Sequence, residues 1–186
     1  MEGNKFGAER KVLGIDPGTG RCGWAILKLK VKKEKLKIER NLELVDCGCI
    51  ETRANTPLAE RLEVIYKKIA ALIKSHRPGE MAIEEIFFVK NVKTGISVAQ
   101  ARGVAILAGR LAGLEIFEYK PNEIKLGVAG YGHADKNQMR QMLKLHLKGC
   151  MIKQDDAADA VAIALHHLQR RKLRASSLQL REEASL

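Results

Sequence analysis

The chain has 186 residues, 46% of them hydrophobic, which is enough to bury one good core and makes a single domain the default. Its 33 Lys and Arg against 22 Asp and Glu leave a net charge of +11, which favours a polyanionic partner such as nucleic acid, the plainer alternative being a basic protein kept soluble by its charge. Cys22, Cys47, Cys49 and Cys150 form no CxxC pair, which argues against the usual zinc knuckle, and no apolar run approaches the ~20 residues of a membrane span. Residues 1–9 lack the apolar segment of a signal peptide and read as a flexible extension. A soluble, cytoplasmic protein with reduced, half-buried thiols is expected.

The first element is K-V-L-G-I-D, a short apolar strand that delivers one carboxylate, Asp16, at its end. Pro17-Gly18 stops it, and Gly18, Gly20 and Gly23 allow either a tight hairpin turn or close approach to a bulky anion. Trp24 to Val31 alternates apolar and basic residues, Lys33-Glu34 offers a turn, Leu36 and Ile38 continue the alternation, and Leu42 to Ile50 is extended. A three-stranded antiparallel meander follows. Its seven basic residues between Lys28 and Arg40 could touch phosphates, although charge on an edge also prevents aggregation, and the protective reading is preferred.

Pro57 to His76 carries Leu58, Leu62, Ile65, Ile69 and Leu72 at helical spacing, with Thr56 as N-cap and Arg77-Pro78-Gly79 as the stop. Met81 to Phe88 is strand-like but interrupted by Glu84 and Glu85, only one of which can share a given face. Two acids in a buried strand are costly without compensating cations or hydrogen bonds. Lys93 to Leu114 reads as a long helix whose stripe of Ile96, Ala99, Gly103, Ile106 and Leu107 should approach a neighbour closely, either the sheet or a second subunit. A strand at Glu115 to Tyr119 and a brief helix at Pro121 to Val128 follow. Asp135 caps a helix through Leu147 whose Lys136, Arg140, Lys144 and Lys148 make the better nucleic-acid face. The last helix opens at Asp155 or Asp156 and runs to about Arg171, with residues 172–186 a polar tail. Asp156 and Asp159, at i and i+3, share a face that Asp155 does not. His166 and His167, late in this helix, are expected to complement its C-terminus rather than bind metal.

Acids from separate elements supply the hard oxygen ligands that magnesium needs, and two such ions ~4 Å apart promote phosphodiester hydrolysis. Without cations, four clustered carboxylates would raise one another's pKa values and strain the fold.

G-I-D-P-G-T-G followed by G-W-A, then A-I-E-E-I-F-F-V-K-N, Q-A-R-G-V-A and the D-x-x-D of Q-D-D-A-A-D-A-V-A-I-A stand in one order from Lys11 to Leu168. Together they resemble the RuvC family of Holliday junction endonucleases in the ribonuclease H-like superfamily. The resemblance implies an α/β fold, a mixed five-stranded sheet of three antiparallel and two parallel strands flanked by helices, here over residues 10–171. It implies Asp16, Glu84, Asp156 and Asp159 as catalytic metal ligands, with Glu85 and Asp155 as neighbours outside the pattern. It also implies Mg²⁺, two ions per site with Mn²⁺ as a substitute, and nicking that leaves 5′-phosphate and 3′-hydroxyl ends. Phe87 matches an aromatic placed to stack on an unpaired base, while Phe88, on the other side of the strand, is read as core. Lys125 and Lys136 match phosphate contacts, and Arg140 extends the same basic face. The implied partners are four-way junction DNA, a second copy in a homodimer, and the RuvAB branch-migration complex.

A YqgF-type nuclease shares the Asp-Gly-rich opening, but the chain length, A-I-E-E-I-F-F and Q-A-R-G-V-A speak against it. An actin-like ATPase needs a second phosphate loop for which 186 residues leave no room. The intact acid set argues against a non-catalytic junction binder.

Overall fold

The computed structural model describes residues 10–34, 37–86, 92–148 and 150–183, with the backbone alone described at 31–34, 37–41, 92–93 and 172–183. The elements run β1 (Arg10–Asp16), β2 (Arg21–Glu34), β3 (Lys37–Glu51), α1 (Leu58–His76), β4 (Glu80–Glu84), α2 (Val92–Leu111), β5 (Glu115–Tyr119), α3 (Pro121–Ala129), α4 (Lys136–His146) and α5 (Asp155–Glu183). The sheet order is β3-β2-β1-β4-β5. β2 pairs antiparallel with β1 and β3, while β4 pairs parallel with β1 and β5. This is the expected mixed sheet.

Alternation along the central strands sorts the core onto two faces. Leu13, Ile15, Ile26, Met81 and Ile83 pack against Ile65 and Ile69 of α1 and the alanines 101, 105 and 108 of α2. Val12, Ala25, Leu27 and Ala82 take the opposite face, under α5 with Ile124 of α3 and Leu143 of α4. The buried part of α5 is almost continuously small and apolar, Ala157-Ala158 and then Ala160 to Leu165, a composition that favours helix and permits close approach to the sheet.

That approach depends on two glycines. A Cβ at Gly14 would lie 2.2 Å from the Ala160 carbonyl oxygen, and one at Gly23 would lie 2.0 Å from the Asp156 carbonyl oxygen. Gly23 therefore makes room for the first turn of α5 rather than for a bound anion or DNA backbone.

The other end of this contact is polar. His167 is fully buried; its Nδ1 shares a hydrogen bond with the Tyr119 hydroxyl at 2.7 Å and its Nε2 lies 2.8 Å from Glu80 Oε2. Arg171 also contacts Glu80. Burial works to raise the Glu80 pKa, but the hydrogen bonds and charges of His167 and Arg171 outweigh it and hold the carboxyl at about 2. His166 is buried edge-on to the Tyr119 ring. Both histidines lie well inside a helix that continues to Glu183, so they do not complement its C-terminus, and the helix runs past its expected end at about Arg171 through the polar stretch to that residue.

Other boundaries shift for local reasons. Lys33 and Glu34, expected to form the turn, pair instead with Ile38 and Lys37, and β3 is one continuous strand. The expected N-cap, Thr56, lies one residue outside: Pro57 is the cap, and its carbonyl accepts from the Arg61 amide at 3.2 Å. β4 ends at Glu84 rather than Phe88. The α2 stripe mostly faces solvent, with Ile96 58% and Leu107 53% exposed, because the alanines 101, 105 and 108 form the packed side instead. Asp135 does cap α4, in a reciprocal box with Gln138. Cys22 is buried and Cys150 exposed, so only Cys47 and Cys49 are half-buried. Residues 1–9, Phe87 and Phe88 lie outside the described residues, as do the side chains of the basic hairpin tip.

Gly14→Ala should destabilise the protein by about 1–3 kcal/mol or more, since the new methyl meets backbone rather than a movable side chain. Chemical denaturation of the variant beside the parent measures this.

Candidate active site

β1 and β4 run parallel with Ile15 opposite Ile83, so their C-terminal ends coincide and present Asp16 and Glu84 side by side. Asp16 is in phase with Val12 and Gly14, and Glu84 with Glu80 and Ala82, so both carboxylates face α5. Glu85 takes the opposite phase; its amide donates to the Tyr119 carbonyl at 2.8 Å. The opening turns of α5 bring Asp156 and Asp159 to the same end of the sheet.

Two sets of contacts hold this edge in place. The Thr52 amide donates to the Gly20 carbonyl at 3.0 Å, and Arg61 Nε donates to the Thr52 hydroxyl at 2.8 Å, tying the β1–β2 loop to β3 and α1. Arg102 Nε donates to the Glu84 carbonyl at 3.0 Å, and the same guanidinium pairs with Glu118. The arginine of Q-A-R-G-V-A thus clamps the end of β4, a role the sequence reading did not assign.

Asp16, Glu84 and Asp159 line a cleft of about 490 Å³ together with Lys125 of α3, Lys136 and Arg140 of α4, and Asp155. Burial, reinforced by the charges of Glu84, Asp159 and Asp156 and opposed by Lys136, raises the Asp16 pKa to about 7. Glu84 is likewise raised to about 7, by burial and then by Asp159, with Lys125 opposing. Burial is also the main cause of the raised pKa of Asp159, against which Lys136 and Lys125 act. Lys125 and Lys136, singled out from the sequence, are therefore cations whose field reaches the acids.

Asp156 stands apart from the cleft lining. Its carboxylate accepts a hydrogen bond from Arg21 Nε at 2.7 Å, and Arg21 also pairs with Glu51 at 3.0 Å. Asp155 pairs with Arg140 and, at 3.8 Å, with Lys136. Arg21 and these roles of Asp155 were missed; the signals were a lone cation inside G-T-G-R-C-G and an Asp-Asp doublet where the D-x-x-D spacing needs one. Among the described residues no three His, Cys, Asp or Glu side chains are grouped so as to hold a metal ion as they stand. The donor set nevertheless suits a hard divalent cation: oxygen ligands only, half-buried at Asp16, Glu84 and Asp156, with the ionised forms of Asp16, Glu84 and Asp159 disfavoured until positive charge arrives.

A mixed sheet in this order, with carboxylates at the ends of two adjacent parallel strands and on a helix crossing them, defines the ribonuclease H-like class. Within that class the chain belongs to the RuvC family, described as crossover junction endodeoxyribonuclease RuvC, which it matches over residues 12–167. It is 46% identical over 158 residues to the RuvC of Roseiflexus sp. (strain RS-1), covering 84% of this chain and 89% of the relative. It is 48% identical over 161 residues to that of Brachyspira hyodysenteriae, covering 87% and 95%. The solved structure of Thermus thermophilus RuvC in complex with Holliday junction substrate superposes with a TM-score of 0.78 at 29% identity, covering 88% of this chain and 96% of that one.

The raised Asp16 pKa has a cost in stability with a definite sign. The carboxyl ionises at about 3.8 when unfolded and about 7 when folded, so the penalty is absent below pH 3.8, grows as pH rises, and is complete above 7. Asp16→Asn should therefore be more stable than the parent by about 1–3 kcal/mol at pH 8 without divalent metal, a Tm gain of a few degrees, and equal to it near pH 3.8. Thermal unfolding across pH in chelator checks both ends.

Proposed function

We propose that this chain is a Mg²⁺-dependent endonuclease that nicks four-way DNA junctions symmetrically, leaving 5′-phosphate and 3′-hydroxyl ends. The observation that carries the reading is the set of mutually repelling carboxylates, Asp16 and Glu84 half-buried among them, facing a cleft rimmed by Lys125, Lys136 and Arg140. The family's description as crossover junction endodeoxyribonuclease supports the reaction, and the relative solved with a Holliday junction supports the substrate.

Asp16, Glu84, Asp156 and Asp159 would hold the metal, with Mn²⁺ able to substitute. When bound, it supplies the positive charge that activates water and steadies the leaving 3′ oxygen. The chain's own part is to seat the scissile phosphate: Lys125, Lys136 and Arg140 neutralise the backbone as it enters, and Phe87 stacks on a base at the junction centre. Asp156 must exchange Arg21 for the metal. Cutting two symmetric strands calls for two sites related by a two-fold axis, hence a homodimer. The solvent-facing stripe of α2, with Ile96, Gly103, Leu107 and Leu111, supports an isologous contact there. Residues 10–171 form the nuclease domain in this reading. Its setting is the cytoplasm, with RuvAB as the motor partner; no described helix is long and apolar enough to cross a membrane.

Labelled four-way junction and linear duplex, each incubated with Mg²⁺ or with chelator, test the reading. Junction should be cut only with Mg²⁺ and duplex hardly at all; equal cleavage of both would sink it. Asp16→Asn should keep junction binding and lose about a hundredfold or more in cutting rate.

The α2 interface has its own test. Leu107→Glu should give a folded monomer in analytical ultracentrifugation where the parent is a dimer, and a dimeric variant would remove α2 from the interface.

A further inference from the structure

The first acid of Q-D-D falls outside the D-x-x-D spacing, and its contacts set it apart from the four acids proposed to hold metal. Asp155 opens α5 at the rim of the cleft, with one carboxylate oxygen against Arg140 Nη2 and the other 3.8 Å from Lys136 Nζ. Those two cations project from one side of α4, one helical turn apart, and line the same cleft as Asp16, Glu84 and Asp159. The three side chains are 53%, 43% and 76% exposed for Asp155, Arg140 and Lys136. Ion pairs this exposed are weak and readily exchanged. A carboxylate held by a guanidinium and an ammonium at the mouth of a cleft has the charge and hydrogen-bonding pattern of a bound phosphodiester.

We propose that Asp155 is a phosphate surrogate: in the free protein it occupies Arg140 and Lys136, and the nucleic-acid backbone must displace it to reach them. The inference rests on reading this cleft as the junction-cleaving site. Asp155 is then a positioning residue. It holds the two cations in place before substrate arrives, and it lowers affinity for any strand that fails to deliver a phosphate there. Displacement has a signature in salt. A phosphate that simply pairs with a free arginine releases its counterion, whereas one that evicts a carboxylate leaves that carboxylate to recruit a cation, so the net release at this contact is about nil.

Fluorescence anisotropy of a labelled four-way junction in EDTA, over roughly 50 to 200 mM salt, compares the parent with Asp155→Asn, Arg140→Gln and the double variant. Asp155→Asn should bind about three- to tenfold tighter and steepen the slope of log K against log salt by about 0.9. In the Arg140→Gln background the gain should shrink to about twofold or less, because the main contact it releases is gone. Equal gains in both backgrounds would mean general repulsion and overturn the proposal, as would unchanged or weaker binding by Asp155→Asn. Should the Asn variant fail to fold, Asp155→Ser, which keeps a side chain suited to a helix opening, carries the same expectations. A parent that binds no junction overturns the functional reading together with this one; a parent that binds while Asp155→Asn is no tighter overturns only the surrogate.

Discussion

The constraint on which the rest depends is backbone-to-backbone contact between α5 and the centre of the sheet. At Gly14 and Gly23 there is no space for even a methyl group between strand and helix. The alanines of α5 complete the fit from the other side. With larger residues at either glycine, α5 would ride higher on the sheet and its opening turn would move away from the end of β1. The geometry of the acids therefore rests on residues with no functional groups.

Pressing acids together at a buried strand end has an electrostatic cost, and the surroundings show how it is met. Lys125 and Lys136 reach the cluster from α3 and α4. Arg21 takes hold of Asp156 from the start of β2. Arg102 steadies the backbone of Glu84 without neutralising its side chain. Compensation is thus partial and comes mostly from the rim, so the deepest carboxyls, Asp16 and Glu84, carry the largest upward shifts. A site left short of positive charge in this way has a standing attraction for divalent cations.

Much of this was legible in the residues. The order of elements followed from hydrophobic period and turn chemistry, and Asp16, Glu84 and Asp159 could be brought together because strand ends and i, i+3 spacing constrain direction. What stayed hidden depended on tertiary partners. The α2 stripe of Ile96, Gly103 and Leu107 suited the sheet and a second subunit equally, and only the packing of the alanines 101, 105 and 108 turns it to solvent. His166 and His167 looked like helix-end residues because the polar composition after Arg171 resembles a tail. Gly23 resembled loop chemistry because nothing in a single sequence says that a helix more than a hundred residues away will lie against it. Arg21 and Arg102 are ordinary surface residues by composition and acquire their roles only from the carboxylate or carbonyl each one meets.

The hydrogen-bonded set at Tyr119, His167, Glu80 and Arg171 has a consequence for the other end of α5. An α-helix advances about 1.5 Å and turns about 100° per residue, so a slip of one position would rotate Asp155 toward the place of Asp156 and carry Asp159 away from Glu84. Small side chains along a glycine-lined track resist such a slip poorly, because alanine offers little to interlock. His167, joined on one side to β5 through Tyr119 and on the other to β4 through Glu80, supplies the missing stop. The polar cluster thereby sets the rotational phase of the helix, and with it which of three nearly adjacent aspartates line the cleft and which one is turned to Arg21.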